Sequence, residues 1–184
     1  MHILLIFALA VLFPATHILN DWLFDFANIN ANISLIYMPA FLRLFNVLVL
    51  GPVFGTFATL LGGMLLIPHF DGPLNLKLMN IVCSSAGPII ALMSFKIYFK
   101  RSVQLTSLKD LATMTVIYCV FNSFLHHTTW LMLDIDKGLN ISEMFWMLIG
   151  DLNGALLGAY LMKATIDFLE SKGVKFPKSS PPKN

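Results

Sequence analysis

Arg43 stands in the middle of an otherwise apolar run, Asn32 to Leu50, with Asn46 one helical turn further on. A charge at the centre of a bilayer costs about 2.5–3.5 kcal/mol on insertion scales, and such a residue faces the interior of a bundle where it finds a partner or binds something. Asp151 offers the opposite charge inside a second apolar run near the end of the chain. A third group, Asn122, His126 and Trp130, stands at i, i+4 and i+8, which places all three on one helical face with His127 beside them. His17 and Asn80 lie in two further apolar runs. The chemistry open to this set is hydrogen bonding and charge pairing to a small anionic group, or a proton response through the histidines.

Other chemistries find no support. His126 and His127 are adjacent, so on a helix they point about 100° apart and cannot easily grip one ion. No Glu or Cys completes the His126 face, and HExxH is absent, so no metal site and no cofactor are expected. There is no Ser-His-Asp spacing, phosphate loop, CxxC or pair of carboxylates at hydrolase spacing, and the protein is not read as an enzyme. Cys83 and Cys119 both sit in apolar runs and are read as small buried hydrophobes rather than a disulfide.

The elements that must position these residues follow from composition. Of 184 residues, 57% are hydrophobic and 12% charged, and the mean hydropathy is +0.77. Soluble domains carry about 25% charged residues, and the long apolar runs exclude an alternating β-barrel pattern, so the class is an all-α, polytopic membrane bundle. With roughly 20 residues per span, the length holds about six transmembrane helices in one domain, residues 1–169, with no nucleic-acid-binding surface. The spans are read at Ile3–Leu19, the Arg43 run, Val53–Ile67, Leu74–Phe99, Leu108–Leu133 and Ile141–Leu169. The first lacks a basic n-region and a cleavage site, so it reads as a retained span. Pro39 biases Met38 away from helix, so the Arg43 helix is expected to begin near Pro39 and be short. Its irregular approach must then be buried in protein or line a cavity. Gly51-Pro52 reads as a tight turn.

An even number of spans puts both termini on one side. The basic loop with Lys96, Lys100, Arg101 and Lys109 and the lysine- and proline-rich tail, residues 170–184, are assigned to the cytoplasm, with the tail read as disordered. The loops at Asn20–Asp25, Asp71 and Asp134–Glu143 then fall outside, with Trp22 as an interface anchor. Arg43 and Asp151 each lie about ten residues from the outer end of their spans, hence at matched depth, and are expected to form a pair. That pair is read either as a structural ion pair or as part of an outward-opening cavity with Asn122, His126, His127, His17 and Asn80. Small residues at Gly51/Gly55 and Gly150/Gly154/Gly158 mark close helix packing beside Asp151.

Two stretches carry a family likeness. Asn32-Ile33-Ser34-Leu35-Ile36-Tyr37-Met38-Pro39-Ala40 resembles the N-x-S-x-[IVL]-[WF]-x-P-A signature of an early helix in the MASE1 family of bacterial membrane sensor domains. Gly150-Asp151-Leu152-Asn153-Gly154 resembles the Gly-Asp-x-x-Gly of a later helix in that family. The intervening order is similar too: a glycine-rich third span, a fourth, a basic loop with Lys109-Asp110, then a fifth. The resemblance implies a sensory module of the bacterial inner membrane. This chain is shorter than the family form, and no signalling domain follows Leu169, so a signal is expected to pass to a partner protein. The rival expectations are the substrate-binding membrane subunit of an energy-coupling-factor vitamin transporter, and a structural subunit whose polar residues only pack helices.

Overall fold

The structure is a computed structural model describing residues 2–105, 107–133 and 140–172. The acidic positions Asp134 and Asp136 and the tail beyond Lys172 lie outside the described residues. Among the described residues, five helices are long and apolar enough, by length and composition, to cross a membrane. These are α1 (His2–Phe24), α2 (Pro39–Leu65), α3 (Leu74–Phe99), α4 (Leu108–Met132) and α5 (Ile141–Ser171). A small antiparallel hairpin, β1 (Asn28–Asn30) with β2 (Ile33–Ser34), links α1 to α2. α2 lies at the centre, packed on α1, α3 and α5, while α4 closes the bundle against α3 and α5.

The burial pattern is that of a protein dissolved in lipid. Ile3, Phe7 and Val11 on α1, Val116, Val120 and Phe124 on α4, and Leu156 and Tyr160 on α5 are all exposed. Asn20, Asn46, Asn122, Asp151, Arg43 and both histidines of α4 are buried. Water would favour the reverse arrangement; a bilayer rewards it, because polar groups there must be satisfied inside the protein.

The expected second span, with its short helix from Pro39, and the expected third span meet at the Gly51-Pro52 turn. They form the single element α2, broken at Gly51, whose φ of 79° and ψ of 170° lie outside helical space and suit a residue without a Cβ. The break is a reversal. Asn46 Nδ2 donates to Thr59 Oγ1 at 3.1 Å, though thirteen residues along a straight helix would separate the two by about 20 Å. A Cβ on Gly55 would run into the Asn46 backbone carbonyl, so the two limbs touch at their backbones. Each limb, residues 39–50 and 52–65, is only about 18–21 Å long, shorter than the roughly 30 Å hydrocarbon core.

The helix of the first limb begins at Pro39, as the proline dictates, and the extended approach is buried in protein as the short helix requires. Its backbone groups find partners on three sides. Leu35 N–H donates to Ala27 O at 2.9 Å, Tyr37 N–H to Gly150 O at 3.1 Å, and Met38 N–H to Asn20 Oδ1 at 2.8 Å. Asn153 Nδ2 donates to Leu35 O at 2.9 Å. Gly150 and Gly154 make room for this strand: a Cβ on either would overlap the carbonyl oxygen of Ser34 or Tyr37. The two stretches that carry the family likeness therefore lie against each other.

The expected loop at Asn20–Asp25 is mostly helix, because α1 continues through Trp22 and Leu23 to Phe24. Asn20 is thereby turned inward to cap the approach to α2. At the opposite end of the bundle, Ser107 caps α4 by accepting from Asp110 N–H, and the Asp110 carboxylate takes a two-pronged contact from Arg101, with Nη2 to Oδ1 at 2.8 Å. Gln104 N–H adds a bond at 3.0 Å, so the basic loop between α3 and α4 is tied down by an acid.

Candidate functional site

α3 and α4 run antiparallel, and their polar residues form rungs between them. Trp130 Nε1 donates to Asn80 Oδ1 at 2.7 Å, and His126 Nε2 faces Ser84 Oγ at 3.4 Å while its Nδ1 contacts Asn122 O at 2.9 Å. Gly87 lies flat against Asn122 at the next level. Interhelical bonds of this kind are worth about 0.6–2 kcal/mol each, so part of the polar set packs helices. Cys83 and Cys119 are free and buried in the same packing.

These rungs nevertheless form one wall of a cavity of about 650 Å³. Its inner part is lined by Arg43, Thr59, Ser84, Asn122, His126 and Asp151, and its mouth by the β1–β2 hairpin, His17, Asp21, His69, Asp71 and Lys77. Asn80 and Trp130 lie between. Six of the eight residues singled out from sequence, Arg43, Asp151, Asn122, His126, His17 and Asn80, thus share one cavity. Asn46 does not line it, being committed to Thr59 across the α2 reversal, and neither does His127, which packs edge-on to Trp130.

Arg43 and Asp151 line the cavity together, but the expected direct ion pair is not formed: among the described residues no carboxylate comes within 4.0 Å of the guanidinium. The reason is that each is already held by its own neighbour. Arg43 Nη2 donates to Tyr37 Oη at 2.8 Å, and its guanidinium lies over the Tyr37 and Phe13 rings at 4.8 and 5.5 Å. The Tyr118 hydroxyl borders it without completing a hydrogen bond. Asp151 Oδ2 accepts from Asn122 Nδ2 at 2.6 Å. Stacking on aromatic faces suits a planar, weakly hydrated cation and leaves its edge free for an acceptor. Among the described residues Arg43 Nε has no hydrogen-bond partner, nor has Asn122 Oδ1. A 6% exposed cation that lines the cavity and is stacked on two rings can receive an anionic group through a charge-assisted bond.

The mouth also holds Asp21 and His69, which the sequence reading did not single out, beside His17, which it did. His17 Nδ1 and His69 Nε2 each lie 3.2 Å from the same oxygen, Asp21 Oδ2. The spacing of His17 and Asp21 at i and i+4 was the available signal; His69 arrives from the turn after α2, which no local pattern reveals.

Comparison of the chain with protein-family models, with curated proteins and with solved structures finds no match.

Proposed function

We propose that this protein is a sensory, ligand-binding module of the bacterial inner membrane that takes a small anionic ligand into its cavity and signals through a partner protein. The observation that carries the reading is Arg43: buried, stacked on Tyr37 and Phe13, and, among the described residues, with no carboxylate in contact and no hydrogen-bond acceptor for Nε. A residue kept only to pack helices would be expected to be neutralised, because an uncompensated buried charge is costly.

In this reading each limb of α2 together with its flanking segment makes one pass, which gives six passes in all and both termini in the cytoplasm. The lysines at Lys96, Lys100 and Lys109 favour that side for the α3–α4 end, so the cavity mouth at the other end of the bundle opens outward. The contact between residues 34–41 and the Gly150–Gly158 face of α5 supports the sensor likeness, since the two resembling stretches build one substructure.

Native mass spectrometry of the full chain released from its own membranes tests the reading. Wild type is expected to carry a small anionic mass that Arg43→Gln lacks at equal folded yield. An equal load in both, or none in wild type, overturns it. Co-purification of wild type with paired ATPases, rather than with a kinase or cyclase, would assign the same cavity to a transport subunit.

A further inference from the structure

We propose that His17, Asp21 and His69 bind a divalent first-row metal ion of the zinc class at the mouth of the cavity. The site is separate from Arg43 and does not depend on the anion reading. Its ligand atoms are His17 Nδ1, an Asp21 carboxylate oxygen and His69 Nε2, all within 4.8 Å of one another.

The distances fit the chemistry. Nitrogen and oxygen ligands at 2.0–2.1 Å around a tetrahedral ion stand about 3.3–3.4 Å apart. Both histidine nitrogens are 3.2 Å from Asp21 Oδ2, so two edges of that tetrahedron are already in place. The third, between the two histidines, closes by a small rotation of His69, whose side chain is 41% exposed.

His17 supplies the second, independent sign. It is 8% exposed, and its Nδ1 is buried without a hydrogen-bond partner although Asp21 Oδ2 is close. His17 Nδ1 is thus left without a hydrogen bond among the described residues, whereas His69 Nε2 hydrogen-bonds the same Asp21 oxygen at 3.2 Å. The ring is held in this setting by edge contacts with Tyr37 and Phe70, at 5.5 and 5.1 Å between centroids. The backbone is equally constrained. His17 and Asp21 share a face near the end of α1, and His69 sits in a helical turn closed by His69 N–H to Leu66 O at 2.9 Å, with Leu66 buried as its anchor.

Two imidazoles and one carboxylate suit Zn²⁺, and three protein ligands leave a coordination position free. His17, Asp21 and His69 are all part of the cavity lining.

Isothermal titration of ZnCl₂ into the full chain tests the site, with the protein in lipid nanodiscs, on a histidine-free tag and stripped with EDTA. Wild type is expected to take up one ion per chain. His69→Ala and Asp21→Asn are expected to weaken uptake at least tenfold, given that loss of mere supporting groups costs 10–100-fold. His69→Cys, which restores a zinc ligand, recovers it. The metal-free melting midpoint, expected to be unchanged in His69→Ala, separates ligand loss from misfolding. Absence of uptake by wild type, or uptake that survives both substitutions, overturns the proposal and leaves a hydrogen-bonded cluster.

Discussion

Asn46 Nδ2 reaches Thr59 Oγ1 at 3.1 Å across the reversal of α2, and Thr59 Oγ1 in turn donates to Gly55 O at 3.0 Å. Both side chains are buried, 0% and 1% exposed, and Thr59 also borders the inner part of the cavity, so the bond lies where the two limbs of α2 meet beside that cavity. It holds two limbs that cannot individually span the hydrocarbon core. Thr59→Val removes the partner and leaves the buried Asn46 amide donor without its hydrogen bond. A loss of about 1–2 kcal/mol is expected, measured by thermal or denaturant unfolding in detergent. Asn46→Leu with Thr59→Val, which removes both polar groups, is expected to be less destabilised than the sum of the single variants. Strict additivity would show that the bond contributes nothing.

The glycine face of α5 makes a sharper demand. A Cβ on Gly154 would overlap the Tyr37 carbonyl, and that backbone cannot move without breaking the Tyr37 and Met38 bonds that lead into α2. Gly154→Ala is therefore expected to cost about 1–3 kcal/mol or more through overpacking. Leu156→Ala, two residues on and 60% exposed to the apolar surround, is expected to change stability by less than about 0.5 kcal/mol. Comparable melting points for the two variants would contradict the close approach of residues 34–38 to α5.

Arg43 is stacked and hydrogen-bonded in a way that a lysine cannot copy. An ammonium lacks the planar fork that bonds Tyr37 while lying over the Phe13 ring. Arg43→Lys is expected to retain the fold but to lose ligand at least tenfold, about 1.4 kcal/mol, in the mass-spectrometric assay. Tyr37→Phe, which keeps the ring and removes only the hydroxyl, is expected to fall between that variant and wild type. Full retention of ligand by Arg43→Lys would show that charge alone suffices and that the aromatic setting is incidental.

What the sequence conveys about this architecture divides along the range of the interactions. The start at Pro39 and the turn at Gly51-Pro52 are legible because proline and glycine act on their own backbone. The extents of α3, α4 and α5 are legible because apolar runs of that length have few other fates. That polar residues within those runs face inward also follows from the cost of leaving them in lipid. Which polar residue meets which does not. Asp151 is bound by Asn122, twenty-nine residues away, rather than by Arg43, because the Tyr37 hydroxyl and two aromatic faces occupy the guanidinium first. Equal depth in the bilayer makes an ion pair possible; it does not choose between a carboxylate and an aromatic box. His69 meets Asp21 across forty-eight residues through the return of the α2 hairpin, a contact without local periodicity.

The α2 reversal also fixes an experiment on topology. Val53 follows the Gly51 break and is 74% exposed, Asn30 lies in the β1–β2 hairpin at the cavity mouth, and Ser102 lies in the loop tied by Arg101 and Asp110. In a background with Cys83→Ala and Cys119→Ala, single cysteines at these three positions report the side each one faces. If α2 dips through the bilayer and returns, Asn30→Cys reacts with a membrane-impermeant maleimide added to intact cells. Ser102→Cys and Val53→Cys then react only after the membrane is opened. A Val53 thiol that resists the reagent from both sides would place the reversal within the lipid, making α2 a re-entrant loop and the chain one of four full passes. Labelling of Val53→Cys from outside would overturn the arrangement altogether, since the Asn46–Thr59 bond would then join limbs entering from the wrong face.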